Sequence, residues 1–162
     1  MGYLAKMPVY IPGVVLGFGA IFLYWGIINI FGIWELIPKP EYGDTPELPV
    51  SFYKSLFILH VVATGPLMEE LVYRWPLVWL AKRKFAQKTA GLLFALTISS
   101  IIFGVMHTLH FGSGSMPPGG WIWFGIVMSG PGFIFAIIAV CYKSVVPSSV
   151  AHMAHNAILV AF

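Results

Sequence analysis

Charged residues are scarce in this sequence. Its 162 residues include nine Lys and Arg and six Asp and Glu, so 9% are charged while 59% are hydrophobic, and the mean hydropathy is +0.86. Soluble domains carry about 25% charged residues, so this composition excludes a soluble globular protein and indicates an integral membrane protein. The net charge is +3, and the basic residues are scattered apart from one cluster at 82–88. The sequence therefore predicts no nucleic-acid partner.

Cysteine is also almost absent. Cys141 is the only one in the sequence, which excludes an internal disulfide and a thiolate metal site. We expect this residue to pack as a small apolar side chain within a helix. The length permits a single domain, residues 1–162.

Long hydrophobic runs dominate what is present. The first, 9–33, is long enough to cross the roughly 30 Å bilayer core, and its Gly13 and Gly17 predict a close helix contact inside the bundle. A second run, 52–80, exceeds one straight span and is interrupted by Gly65 and Pro66, where we expect a kinked or broken helix. Three more runs follow, at 90–109, 121–142 and 145–162. The pattern predicts an all-α, polytopic membrane bundle of about five transmembrane helices.

Two connecting segments predict the orientation of the bundle. Segment 34–50 contains four prolines and every acidic residue outside the Glu69 and Glu70 pair, whereas segment 82–88 is basic. Because positive charge stays inside, we expect 82–88 to be cytoplasmic and 34–50 to lie on the outer side.

Three charges stand in the otherwise apolar part of the second hydrophobic run, from Leu56 to Leu80: Glu69, Glu70 and Arg74. A charge at the bilayer centre costs from about 2.5 to more than 10 kcal/mol, so charges kept there usually serve a function. Glu70 and Arg74 are four residues apart and share a helical face, while Glu69 points about 100° away from Glu70. Glu69 is therefore a candidate general base. The alternative is a purely structural clamp between Glu70 and Arg74.

Two later runs carry polar side chains one helical turn apart. Phe103 to His107 reads F-x-x-x-H, and His152 to Asn156 reads H-x-x-x-N. The other histidines are His60, which we expect to be packed or hydrogen-bonded in a structural role, His155, which we expect to support the site, and His110, to which we assign no role.

The sequence thus contains three motifs, each on its own hydrophobic run: E-E-x-x-x-R at 69–74, then F-x-x-x-H, then H-x-x-x-N. In this order they resemble the three motifs of the CAAX-protease and bacteriocin-processing family. This family contains the type II CAAX prenyl endopeptidases and their bacterial relatives. The resemblance covers about 52–162, with 9–33 as an added first helix. It implies an intramembrane glutamate protease that needs no cofactor and cleaves a membrane-associated peptide or a lipid-modified protein within membrane lipid.

The resemblance also implies a role for each motif residue. Glu69 would activate water and His107 would help to hold it, while His152 and Asn156 would donate hydrogen bonds to the oxyanion. Glu70 and Arg74 would orient and tune the site. Trp75 and Pro76 stand where many relatives have glycine, which we expect to reshape the site. The chain is shorter than the eukaryotic prenyl proteases, so we expect a prokaryotic cytoplasmic-membrane enzyme acting on a peptide or a membrane-associated protein.

Two other functions fit parts of the pattern. His107 with His110 and His152 with His155 form two H-x-x-H pairs beside two glutamates, which are adequate ligands for a metal-dependent membrane hydrolase. Against this function, the sequence has no H-E-x-x-H motif. The third alternative is a non-catalytic membrane scaffold whose polar network only holds the bundle together.

Overall fold

The computed structural model describes residues 7–33, 52–83, 89–111 and 119–161, and every element within these ranges is helical. The acidic segment 34–50 and positions 84–88 of the basic segment lie outside the described residues, and the orientation predicted from them stays a prediction. The helices are α1 (Met7–Ile30), α2 (Phe52–Leu59), α3 (Gly65–Tyr73), α4 (Trp75–Ala81), α5 (Thr89–Phe111), α6 (Gly120–Tyr142) and α7 (Val145–Ala161).

Helices α2, α3 and α4 follow one another without a loop and form one bent rod, so the described residues make five helical rods. This confirms the predicted all-α architecture with one bent helix. Within the described ranges, two helices, Thr89–Leu109 and Gly120–Tyr142, are long and apolar enough to cross a membrane, and Gly17–Ile30 is a shorter apolar helix. The finer prediction of about five transmembrane spans goes beyond these two.

The bend lies where the sequence predicts it and takes a specific form. Residues His60–Thr64 make a π-helical turn directly before α3, and the Gly65 N–H donates to the carbonyl of His60, five residues back. Pro66 follows in the first turn of α3, where a proline is tolerated because that N–H has no helical partner. The helix is therefore wider over one turn and returns to the α-helical form at Gly65, four residues before Glu69.

Helix α6 also contains a proline in its interior, Pro131, but remains α-helical from end to end. The Gly-Pro-Gly sequence at 130–132 predicts a kink in this helix, and no break in the α-helix accompanies it. The close contact predicted for the first helix is confirmed at Gly17, where an added Cβ would lie 2.7 Å from Ile138 Cδ1 and 3.0 Å from Ala151 Cβ.

Polar and apolar residues are distributed opposite to the pattern of a soluble protein. Glu70, Arg74 and His152 are buried, whereas many large hydrophobic side chains on the same helices are exposed. Such a surface suits hydrocarbon rather than water. Cys141 corrects one expectation, because it is exposed near the end of α6 instead of packed inside.

Candidate functional site

Three helices bring a carboxylate and two imidazoles together. Glu69 on α3 places its Oε2 atom 3.8 Å from Nε2 of His107 on α5 and 3.7 Å from Nε2 of His152 on α7. The Glu69 side chain is 35% exposed, while His152 is fully enclosed. The cluster therefore combines a partly exposed glutamate side chain, whose Oε2 atom is itself buried, with an imidazole in the interior.

The hydrogen bond made by His107 determines which of its two ring nitrogens carries the hydrogen, and so which one is an acceptor. Nδ1 lies 3.0 Å from the carbonyl oxygen of Phe103 on the preceding turn. A carbonyl oxygen only accepts, so Nδ1 carries the hydrogen and, in the neutral ring, Nε2 offers a lone pair toward Glu69. The F-x-x-x-H spacing thus supplies both the carbonyl that orients the ring and an aromatic neighbour 4.1 Å away, centroid to centroid.

Glu70 lies behind this cluster and is completely buried. Its Oε1 atom accepts a hydrogen bond from Nδ1 of His152 at 3.2 Å and lies 3.6 Å from Nε of Arg74. The ion pair predicted from the four-residue spacing is thus present. The carboxylate also orients His152, since it holds Nδ1 and leaves Nε2 directed at Glu69.

Arg74 is likewise completely buried and connects three helices. Its Nη2 donates to the carbonyl of Gly132 on α6 at 2.9 Å, and its guanidinium carbon lies 4.4 Å from the ring centroid of Phe103 on α5. A buried charge is tolerated only when it is paired and hydrogen-bonded. Arg74 meets this condition in part, because it is paired with the Glu70 carboxylate and its Nη2 is hydrogen-bonded to Gly132, while Nε and Nη1 are buried without a hydrogen-bond partner among the described residues.

Asn156 is one helical turn beyond His152, and its position differs from the expected one. Its Nδ2 donates to the backbone carbonyl of Val61, in the π-helical turn, at 2.8 Å. One of its two amide hydrogens is therefore used within the protein. The oxyanion role implied by the resemblance falls to the other hydrogen and stays a prediction.

His155, expected to support the site, lies buried beside His152. Its Nε2 accepts a hydrogen bond from the indole N–H of Trp25 on α1 at 2.7 Å, and the two rings stack with centroids 5.7 Å apart. Trp25 does not stand out in the sequence, because a tryptophan in an apolar run carries no local signal of its partner. Helix α1 therefore contributes directly to the surroundings of the candidate site.

The remaining sequence candidates lie outside the cluster. His60 bonds Thr64 through Nδ1 at 2.8 Å, as expected for a structural histidine, and Trp75 is exposed at the start of α4. The side chain of His110 is outside the described part of the chain. Within the described ranges, no group of three or more His, Cys, Asp or Glu side chains is arranged to hold a metal ion.

Comparison with protein families gives a match between residues 51–158 and the type II CAAX prenyl endopeptidase Rce1-like family. The chain belongs to this family. All seven motif residues fall inside the matched range, whereas α1, with Trp25, falls outside it.

One relative of this chain supports the same family assignment. The membrane-embedded CAAX protease MroQ of Staphylococcus aureus (strain USA300) is 28% identical over 160 residues, which cover 94% of this chain. The aligned region is 58% of that relative, so the chain spans well under two thirds of its length. No solved structure gives a significant match.

Proposed function

We propose that this Rce1-like family member is an intramembrane endopeptidase that hydrolyses a peptide bond of a membrane-associated peptide or protein. The observation that carries the proposal is the position of Glu69 Oε2, within 4 Å of an imidazole nitrogen on each of two other helices. A carboxylate and an imidazole acceptor at this separation suit a shared water. A water lying off the line between the two atoms would sit about 2.8 Å from each.

In the first step, Glu69 accepts a proton from this water while Nε2 of His107 accepts the hydrogen bond of the second hydrogen. The water oxygen attacks the carbonyl carbon of the scissile peptide and forms a tetrahedral intermediate. Glu69 then delivers its proton to the leaving nitrogen, the C–N bond breaks, and a carboxylic acid and an amine result. General acid–base catalysis of this kind contributes about 10² to 10⁴ in rate.

His152 is the proposed donor to the oxyanion. Because Glu70 binds Nδ1, Nε2 is the ring nitrogen of His152 that faces Glu69, and its hydrogen is the one proposed to bind the oxyanion. The second amide hydrogen of Asn156 is the proposed companion donor. Loss of one oxyanion donor typically costs about 2.7 to 4 kcal/mol.

The surroundings favour a substrate presented within the membrane. The described helices expose large apolar side chains, and the relative MroQ is a membrane-embedded CAAX protease. We assign the protein to a prokaryotic cytoplasmic membrane, with about five spans and the 82–88 segment on the cytoplasmic side. The substrate is a peptide or a membrane-associated protein, including lipid-modified proteins.

The decisive experiment compares membrane peptides in cells that carry the wild-type protein or Glu69→Gln. Glutamine keeps the size of the side chain but cannot take the proton, so peptides cut in the wild type should remain intact in the variant at equal protein levels. Cleavage that is unchanged by Glu69→Gln would contradict the mechanism.

A chelator arm separates the glutamate mechanism from the metal-dependent alternative. The purified protein should cleave a substrate found in the first experiment equally well before and after treatment with a strong chelator. Loss of activity that returns on adding a metal ion would favour the metal-dependent hydrolase. A wild type and a variant with identical membrane peptides would favour the scaffold.

A further inference from the structure

The carbonyl of Val61 has no backbone donor in its own helix. In the π-helical turn a carbonyl accepts from the N–H five residues on, and for Val61 that residue is Pro66, which has no N–H. In the α-helical register the donor would be Gly65, but the Gly65 N–H donates to His60. The proline that allows the helix to restart therefore leaves one carbonyl unsatisfied inside the bundle.

Asn156 on α7 satisfies this carbonyl through its Nδ2, at 2.8 Å. Freed backbone groups at membrane depth must find partners on neighbouring helices, since hydrocarbon supplies none. The contact also has a defined place in the site. Glu69 is three residues beyond Pro66 on one helix, and His152 is one helical turn before Asn156 on the other.

The same arrangement occurs at a second, distant position. Pro131 in α6 leaves the carbonyl of Val127, four residues earlier, without its helical donor, and the hydroxyl of Tyr24 on α1 donates to that carbonyl. In both cases a side chain from another helix replaces the N–H that a proline lacks. The second case contains no residue of the Glu69, His107 and His152 cluster, which makes it an internal control.

We infer that Asn156 is a positioning residue whose bond to the Val61 carbonyl holds α7 against the π-helical turn and so sets the distance between Glu69 and His152. This role differs from donation to the oxyanion, because it uses the other amide hydrogen and acts through the backbone. The activity arm of its test rests on the proposed function, whereas the stability and spectroscopic arms do not.

The test uses Asn156→Ala, Pro66→Ala and the double variant in the full-length protein. Asn156→Ala should raise the unfolding equilibrium constant about 5- to 150-fold, as expected for a partly buried acceptor that loses its donor. Pro66→Ala supplies an N–H to Val61, so adding it to Asn156→Ala should recover most of that loss. The kcat of the double variant should also rise at least about tenfold above that of Asn156→Ala, with little change in KM.

Two results would overturn the inference. If Pro66→Ala leaves both the stability and the kcat of Asn156→Ala unchanged, the carbonyl contact has no energetic role. If stability recovers but kcat does not, Asn156 acts on the reacting atoms and not by position. The recovery of stability by Pro66→Ala in the Asn156→Ala protein should persist in a Glu69→Gln background. This result distinguishes failure of the proposed function from failure of the contact between Asn156 and Val61.

A spectroscopic arm covers the case in which Pro66→Ala fails to fold. With valine labelled by ¹³C at the carbonyl, NMR should show one resonance displaced by Asn156→Ala and a different one displaced by Tyr24→Phe, since the two carbonyls belong to Val61 and Val127. An Asn156→Ala spectrum with every valine carbonyl unchanged would contradict the proposed bond.

Discussion

Two of the buried prolines, Pro66 and Pro131, each leave a helix carbonyl without its donor, and the structure supplies the missing donor differently at each. At Pro66 the helix opens into a π-helical turn, and Asn156 of α7 binds the freed carbonyl. At Pro131 the helix stays α-helical, and Tyr24 of α1 binds the freed carbonyl. Of these two prolines, only Pro66, which precedes Glu69, lies next to a π-helical turn.

The difference shows how each proline serves the site. The widened turn before α3 precedes the two glutamates, and α7 is attached to that turn. The proline in α6 is followed by Gly132, whose carbonyl accepts from Arg74 and whose missing Cβ leaves room for the guanidinium. The first site thus positions the carboxylates, and the second receives the cation that balances them.

Arg74→Met should have the largest effect on stability, because it removes the connection between the two regions. Glu70 would remain buried with its cation gone, and breaking a buried pair costs about 3 to 5 kcal/mol. Chemical unfolding in detergent micelles measures this loss. Arg83→Met is the matched control, since Arg83 is exposed and lies over Trp79, where the contact is worth about 0.5 to 1 kcal/mol. Equal losses in the two variants would rule out the buried role of Arg74.

Gly132→Ala sharpens the account of the second region. The added Cβ would lie 2.8 Å from Phe103 Cδ1 and 3.2 Å from Arg74 Nη2, so the ring and the guanidinium must shift. Overpacking of this kind costs about 1 to 3 kcal/mol, and we expect kcat to fall because Arg74 moves relative to Glu70. Gly26→Ala is the control, since nothing lies within 4 Å of its Cβ position. A Gly132→Ala protein as stable and active as Gly26→Ala would contradict this packing.

Tyr24→Phe separates the two carbonyl contacts by function. Losing the hydroxyl leaves the Val127 carbonyl unsatisfied, which should lower stability by about 1 to 3 kcal/mol. Since neither Tyr24 nor Val127 belongs to the Glu69, His107 and His152 cluster, we expect kcat to change much less than in Asn156→Ala at a matched loss of stability. If kcat falls equally in both variants, position near Glu69 is not what distinguishes the first proline site.

Trp25→Phe should have the smallest effect of the four. It keeps a ring against His155 but removes the indole N–H that donates to Nε2, and a neutral hydrogen bond is worth about 0.5 to 1.5 kcal/mol. Melting temperature and cleavage rate measured on the same sample would report this loss. Trp121→Phe, at an exposed position on α6, is the control. No difference between the variants would show that the bond from α1 to His155 is dispensable.

Local sequence patterns predicted the features that depend on short separations. The helices, the break at Gly65 and Pro66 and the Glu70 and Arg74 pair all follow from periodicity, proline chemistry and a four-residue spacing. The approach of Glu69 to His107 and His152 was expected from the resemblance to a family rather than from spacing. The catalytic roles of these residues stay predictions.

The contacts that the sequence did not reveal join residues far apart in the chain. His152 bonds Glu70 across 82 positions, Asn156 reaches Val61 across 95, and Trp25 reaches His155 across 130. Helical periodicity places each side chain on a face but does not identify the helix that covers it. The prediction that Cys141 is packed was wrong for the same reason, because an apolar run does not show which side of the helix faces outward.

The most direct test of the central claim is a double-mutant cycle on kcat between Glu69→Gln and His107→Gln. If the two side chains hold one water, each single variant should lose about 10² to 10⁴ in rate. The double variant should then be no more than about tenfold slower than the slower single variant, because residues that act as a unit are not additive. A double variant whose loss equals the product of the two single losses would contradict a shared water.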